Sequence, residues 1–304
     1  MTDAAAVTVV MAAYNSAGTI GQAIGSVLLQ TREDWELVVV DDGSTDDTAA
    51  IASSFGDERI RIVRRQNGGP AAARNAGIAA ARTPLVSMLD SDDLWLPGYL
   101  ETMTSILAAN PDAVLAYTDA WVIDDEKGRV RKTTEMTYQR PPVPPPTMPR
   151  AFLVELLKRN FIYNSVTVRR EALVETGGYD ERLRTSEDWE LWLRLAALGR
   201  PCLRSPAALA VHRDRRGSLT TDLDELQRSD QAVYRIVQED WETDGEIRAL
   251  ARQLAAEGRG GRSRLDVSLA RLVRPVRRRL QKWTLWHRRP PTEIARLLAA
   301  VSGR

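Results

Sequence analysis

Four short apolar runs divide the first part of the chain, Val7 to Met11, Leu37 to Val40, Ile60 to Val63 and Leu85 to Leu89, and each stops in polar residues. In Leu37 to Val40 the apolarity is continuous, not alternating, which predicts a strand covered on both faces. Between the runs the pattern changes period. Ile20, Ala23, Ile24, Val27 and Leu28 recur at helical spacing, and Ala49 to Ala52 reads as a second helix that Ser44 or Thr45 could cap. Gly68-Gly69-Pro70 opens the Ala-rich stretch Ala71 to Ala81, where Pro70 suits a first helical turn. Pro97 starts a further helix, and Ala113 to Val122 reads as a fifth strand. Strands alternating with helices at this spacing predict an α/β fold with a doubly wound, mostly parallel sheet.

The pattern then breaks. Pro141 to Pro149 holds too many prolines for helix or central strand and reads as a stiff, extended surface connection. Beyond it, Ala151 to Leu157 is helical, Ser165 to Val168 is strand-like, and Glu171 to Glu175 is a short helix closed by Gly177-Gly178. Glu187 to Leu195 opens an amphipathic helix whose Trp189, Trp192 and Leu195 belong to the core. From Asp222, Leu223, Leu226, Val233, Ile236 and Val237 mark another helix, and Gly258 to Gly261 ends the pattern. The division expected is a catalytic body over 1–221 and a helical, basic C-terminal extension over 222–304.

Composition adds a charge asymmetry. The chain has 304 residues and a formal charge of +1, so it is not a uniformly basic nucleic-acid binder. Yet Arg262 to Arg289 carries ten Lys/Arg against one Asp, which leaves an acidic body. Within that segment, Leu265 to Leu285 interleaves leucines and Trp283 with Arg271, Arg274 and Arg277 to Arg279. This matches either an interfacial helix on an anionic membrane surface or a helix packed on the body or on another copy. The single Cys202 makes no internal disulfide, and no Cys/His cluster suggests zinc. The N-terminus lacks the basic region of a signal peptide, and no run approaches a membrane span. The expectation is a cytoplasmic protein, with peripheral attachment to the inner face of the plasma membrane through residues 262–289 left open.

The candidate chemistry lies where apolar runs end in acids. Asp41-Asp42 and Asp90-Ser91-Asp92-Asp93 would share one edge of the sheet, the carboxyl edge at which open α/β sheets bind ligands. Asp90 and Asp92, spaced D-x-D, can hold a hard divalent ion together with phosphate oxygens. Asp188 sits in a helical first turn, a placement the helix dipole favours by itself.

Five motifs in order, AAYN at 12–15, VVVDDGSTDDT at 38–48, GGPAAARNAGIAAA at 68–81, LDSDD at 89–93 and SEDWELWLRL at 186–195, resemble the inverting family-2 glycosyltransferases of GT-A fold. The resemblance covers about residues 7–220. It implies transfer of a sugar from a nucleotide-sugar, foremost a UDP-sugar, to the hydroxyl of a glycan, lipid-linked or other acceptor in envelope polysaccharide or glycolipid synthesis, with Mn²⁺ or Mg²⁺ as cofactor. Carried over residue by residue, Tyr14 would lie against the base and Asp42 would accept from its imide. Arg74 would face base or diphosphate, Asp90 the ribose, and Asp92 the metal, with Ser91 in the same donor-binding set. Asp188 would take the acceptor's proton. Asp93, Glu187 and His212 are additional candidates, Asp93 also as a cap of the following helix. Two departures stand out. Ala12-Ala13 replaces the usual proline or threonine before Tyr-Asn and so withdraws a contact to the base. The segment HRDRRGSLT at 212–220 has Arg215 where the family's histidine usually falls. Two other readings compete: a protein that binds nucleotide-sugar or glycan without turnover, and a receiver-type signalling domain, which leaves Asp188 unexplained.

Overall fold

In a computed structural model, which describes residues 6–124, 129–134, 147–214, 222–241, 245–258 and 292–302, β1 (Val7–Ala13) lies between β2 (Trp35–Asp41) and β4 (Leu85–Met88), parallel to both. β3 (Ile60–Arg64) continues the parallel order beyond β2. The continuous apolarity has the expected cause. Val7, Val9, Met11 and Ala13 enter one core while Val10 enters another, and in β2 Leu37 and Val39 part in the same way from Val38 and Val40. Helices α1 (Ile20–Leu28), α2 (Thr48–Ser53) and α4 (Tyr99–Ala109) cover one face, and α3 (Pro70–Ala80) covers the other.

The remaining strands extend the sheet in an order the sequence did not reveal. From β4 it runs through β8 (Val166–Arg169), β6 (Leu115–Asp124) and β9 (Cys202–Asp214) to β5 (Leu94–Trp95), with β7 (Arg129–Thr134) also on β6. β8 is antiparallel to both β4 and β6, so β6 keeps the direction of the parallel strands, and β9 follows it in parallel. The expected fifth strand is thus real but displaced by one position in the sheet.

Two helix starts differ from expectation. α2 begins at Thr48, whose N–H is taken by Asp46 Oδ1 at 3.0 Å, and Ser44 instead accepts from Asn15 N at 3.0 Å. α4 begins at Tyr99, beyond Pro97, so Asp93 is too far upstream to cap it.

On the α3 side, α5 (Pro149–Lys158), α6 (Arg170–Glu175) and α7 (Glu187–Ala197) share a core with α8 (Leu223–Glu239) and α9 (Gly245–Ala256). Trp189, Trp192 and Leu195 are buried there as expected, and the Trp189 indole donates to Leu156 O at 2.8 Å. Pro149 is the first residue of α5, while Pro141 to Pro146 lie outside the described residues. So does the basic stretch Leu265 to Leu285. After it, α10 (Thr292–Val301) buries Ile294, Leu297 and Val301 against Leu94, Leu96, Trp121, Ile123 and Val211. Among the described residues, no helix is long and apolar enough to cross a membrane.

Candidate active site at the carboxyl edge of the sheet

Register brings the acidic ends together. Ala13 pairs with Asp41 and Val10 with Met88, so the loops after β1, β2 and β4 emerge side by side. Asn15 adopts φ 48°, a left-handed conformation that asparagine tolerates, and its Oδ1 accepts from Thr45 N at 2.9 Å. Ser16 N donates to Thr48 Oγ1 at 2.7 Å, and the Ser16 and Ser91 hydroxyls lie 2.8 Å apart. These bonds join all three loops. They also spend Ser91 on Ser16, so its part here is to tie the D-x-D loop to the loop after β1. Tyr14 remains 51% exposed at the rim, with a ring available to a flat ligand, and Ala12 is part of β1 beneath it.

Asp42 holds protein groups of its own. Its carboxylate is buried and accepts from Gly69 N at 2.8 Å, Gly68 N at 3.1 Å and Arg65 Nη1 at 2.9 Å. Both oxygens are committed, and the residue fixes the glycine loop that leads into α3. Gly69, at φ 89°, lets that loop turn its N–H groups inward.

Arg74 is not a surface residue. It is buried, with Nη2 2.7 Å from Asp90 Oδ1 and Nη1 2.5 Å from Glu187 Oε1, and it lies over the Tyr179 ring at 5.4 Å. Burial would weaken its charge, but Asp90 and Glu187 hold the guanidinium well above its ordinary value. Asp90 Oδ1 also accepts from Asn164 Nδ2 at 2.8 Å. The D-x-D turn and the start of α7 are therefore joined through one cation.

Next to Arg74, Asn75 donates to Tyr179 O at 2.9 Å and accepts from Tyr179 N at 2.8 Å. A side chain at Gly178 would come within 2.5 Å of Asn75 Oδ1, so that glycine allows the close approach. The segment that delivers α7 is thus pinned to α3. Ser186 takes φ 60° at the turn, after which Glu187 points to Arg74 while Asp188 is half-buried. Asp188 Oδ1 accepts from Trp189 N at 2.6 Å, and Asn160 Nδ2 lies 3.5 Å from Oδ2. Burial pushes the Glu187 carboxyl up, a shift that Arg74 opposes and Asp188 reinforces.

The third part of the site follows from a short antiparallel pairing. Leu94 pairs with Val211, which sets Asp93 opposite His212. Asp93 is buried, accepts from Tyr163 Oη and from Arg213 N at 3.0 Å, and lies 3.2 Å from His212 Nδ1. Tyr163 Oη is itself 2.7 Å from His212 Nδ1, and burial together with Asp93 and Asp90 pushes its phenol far up, so it stays protonated. Arg213 Nε donates to the carbonyl of Asp92 at 3.0 Å and Nη2 to Gln22 at 2.6 Å. Asp93 thus anchors the acidic turn to β9, and His212 joins the site. Tyr163, Asn164 and Asn75 escaped sequence reasoning. Only Asn75, inside the Ala-rich helix, offered a signal there, as a polar residue on an apolar stretch.

A divalent cation fits this donor set in one form. Among the described residues, no group of three or more His, Cys, Asp or Glu converges as a metal cage. Asp92 and His212 carry oxygen and nitrogen donors of types that divalent cations accept, and the Asp93 carboxylate lies 3.2 Å from His212 Nδ1. One or two protein ligands completed by phosphate oxygens is how Mg²⁺ is commonly held at phosphate-bearing substrates.

Comparison with solved structures identifies the class. TarS residues 1–349 of S. aureus in complex with UDP-GlcNAc superposes with a TM-score of 0.64 at 20% identity, over 83% of this chain and 71% of that one. The mannosyltransferase PcManGT of Pyrobaculum calidifontis, solved with GDP-Man and Mn²⁺, superposes over 99% of this chain and 87% of its own with a TM-score of 0.59 at 20% identity. The fold is that of GT-A glycosyltransferases. The sequence goes further: the glycosyl transferase family 2 profile matches residues 8–177, and the chain belongs to that family. Its relatives include the succinoglycan biosynthesis protein ExoO of Rhizobium meliloti, 36% identical over 239 residues, 75% of this chain and 68% of that protein. A shorter match, 39% identical over 105 residues, joins 34% of this chain to 42% of the Escherichia coli UDP-Glc:alpha-D-GlcNAc-diphosphoundecaprenol beta-1,3-glucosyltransferase WfgD.

Proposed function

We propose that this glycosyltransferase moves a sugar from a UDP-sugar to an acceptor hydroxyl with inversion, in the assembly of an envelope polysaccharide or its lipid-linked precursor. The observation that carries the reading is the Arg74 bridge, which connects the D-x-D turn through Asp90 to the start of α7 through Glu187, beside Asp188. A donor site and a proton acceptor are thereby parts of one rigid unit. TarS with UDP-GlcNAc and WfgD with UDP-Glc support uridine, and the names of ExoO and WfgD support the polysaccharide or lipid-linked acceptor.

In this reading Tyr14 stacks on the base. Asp90, steadied by Arg74 and Asn164, faces the ribose. A divalent cation held by Asp92, with His212 beside it, would act as a Lewis acid on the diphosphate as negative charge grows there. Asp188 accepts the acceptor's hydroxyl proton while the new oxygen–carbon bond forms opposite the breaking bond to phosphate. The nucleoside diphosphate leaves with the electron pair. General-base assistance of this kind contributes about 10²–10⁴-fold. The basic segment 262–289 would rest on an anionic lipid surface and keep the enzyme near a membrane-bound acceptor.

Calorimetric titration of the full chain with UDP and with GDP, each with and without Mn²⁺, tests the donor site. Binding of UDP that strengthens with Mn²⁺ and loses that gain in Asp92→Ala is the expected result. Tighter binding of GDP would transfer the donor to the guanosine class, and binding of neither would sink the reading.

A further inference from the structure

We propose that Asp230 is a positioning residue for sugar transfer: through its bond to Ser186 it sets the turn that carries Asp188. The inference rests on the reading of Asp188 as proton acceptor. It adds a residue of α8, a helix that lies wholly beyond the 8–177 span of the family profile.

Asp230 is out of pattern where it stands. It falls on the face of α8 that carries Leu226, Val233 and Val237, all buried, and is itself 2% exposed. A buried acid needs polar partners, and one of them is Ser186, whose Oγ donates to Asp230 Oδ1 at 2.7 Å. Ser186 in turn needs holding. At φ 60° it occupies the left-handed region that residues other than glycine seldom enter, and its carbonyl accepts from Glu190 N at 3.1 Å to begin α7. The bond to Asp230 therefore fixes the residue from which the helix, and with it Asp188, sets out. One turn further along α8, Tyr234 meets Trp189 edge to face at 5.4 Å. Both rings donate to carbonyls in the last turn of α5, Trp189 Nε1 to Leu156 O at 2.8 Å and Tyr234 Oη to Leu157 O at 3.3 Å. Asp188 Oδ1 accepts from Trp189 N at 2.6 Å, so α8 steadies the acid from both sides, through Ser186 before it and Trp189 after it. Displacement of a reacting group by about 1 Å can cost on the order of 100-fold in rate.

The test uses the full chain, and amide hydrogen exchange without ligand reads the turn itself. Ser186→Gly adopts the left-handed turn without strain and removes only the hydroxyl. Asp230→Leu suits the apolar face of α8 but offers no acceptor, whereas Asp230→Asn keeps an acceptor oxygen. Ser186→Gly and Asp230→Leu should speed exchange of the Trp189 and Glu190 amides while amides of α3 exchange as in the parent, and Asp230→Asn should protect as the parent does. Unchanged protection in Ser186→Gly and Asp230→Leu overturns the proposal. So does Asp230→Asn that behaves as Asp230→Leu, since charge and not the bond would then be at work. In the second arm, UDP release from UDP-glucose and from UDP-GlcNAc is followed at saturating donor with Mn²⁺, water taking the place of the acceptor hydroxyl. Ser186→Gly and Asp230→Leu should lower turnover by up to about 100-fold, with UDP affinity at the parent value. Turnover at the parent rate overturns the proposal, and so does loss of UDP affinity in step with turnover, because the residues would then serve the fold alone. Asp188→Asn separates the two readings: turnover that survives there fails the base assignment, and a parent that releases no UDP fails the donor reading. In either case the exchange of the α7 turn still decides whether Asp230 sets it.

Discussion

Glu187 and Asp188 are adjacent carboxylates in opposite surroundings, and their division of labour follows from that. Glu187 is buried against Arg74, whereas Asp188 is half-buried at the first turn of α7 near Asn160. A proton acceptor must be reachable, so of the two Asp188 is the one proposed as base, with Glu187 beside it on Arg74. Asp188→Asn should bind nucleotide as the parent does and lose about 10²–10⁴-fold in transfer rate, read by product formation from a UDP-sugar. Transfer near the parent rate would place the base elsewhere. Arg74 is tested differently, because Arg74→Met leaves Asp90 and Glu187 without their shared cation. Removing one partner of a buried pair costs about 3–5 kcal/mol, and this loss should appear in urea unfolding at neutral pH. It should shrink as pH falls. Burial already pushes Glu187 up in the parent, and without Arg74 to oppose it that carboxyl would protonate still more readily folded than unfolded. Folded pKa values raised in this way favour the variant below them and penalise it above, so the gap to the parent closes toward acid.

At the scale of elements, α3 shows why the segment between β3 and β4 is so rich in alanine. A side chain at Gly77 would overlap Val10 Cγ1 of β1, with Cγ2 and Cβ at 3.2 and 3.3 Å, and the buried valine would have to turn aside within a packed core. Alanine in a helix interior gains about 1 kcal/mol over glycine, and overpacking costs about 1–3 kcal/mol. Gly77→Ala should therefore be destabilised on balance and lower the midpoint by several degrees in a thermal scan. A rise in midpoint would show that α3 can move off the sheet. The same element explains what could be read in advance. Runs such as Val38 to Val40 announce a strand covered on both faces because the period of two is filled on both sides. β8 announces nothing about direction, for Val166 to Arg169 is too short to show that it runs against β4 and β6. The candidate acids were legible because they end apolar runs. Their partners were not: Tyr163 and Asn164 precede β8 by chance of chain path, and the pairing of Asp93 with His212 depends on the register of the two-residue β5. The motifs named Asp42 and Arg74 but not the groups they hold, the glycine loop for Asp42 and Asp90 with Glu187 for Arg74. Motif spacing carries no information about which neighbour claims a carboxylate.

The whole molecule is an acidic body joined to a basic segment, and the packing of the flanking helices decides how that segment can be tested. α9 is part of the main core through Ile247, Ala251 and Leu254. α10 closes an apolar patch near the acidic turn, with Ile294, Leu297 and Val301 each at most 3% exposed. Truncation at Arg262 would strip α10 away and expose Leu94, Leu96 and Val211, so any loss of membrane binding would be confounded with damage beside the site. Charge substitution avoids this. Arg277, Arg278, Arg279 and Lys282 are four consecutive basic positions of the segment when apolar residues are passed over. A basic residue near an anionic leaflet contributes about 1 kcal/mol, so replacing all four with glutamine should remove about 4 kcal/mol, or roughly a thousandfold in partition to phosphatidylserine vesicles at fixed salt. Binding by the parent should weaken steeply as salt shortens the reach of these charges, and the variant should lose most of that dependence. The unfolding midpoint should not move, since α9 and α10 are untouched. Vesicle binding that survives the four substitutions would mean the segment reaches the surface through Trp283 and its leucines. Parent protein that ignores the vesicles altogether would leave the acceptor to be met without help from the lipid.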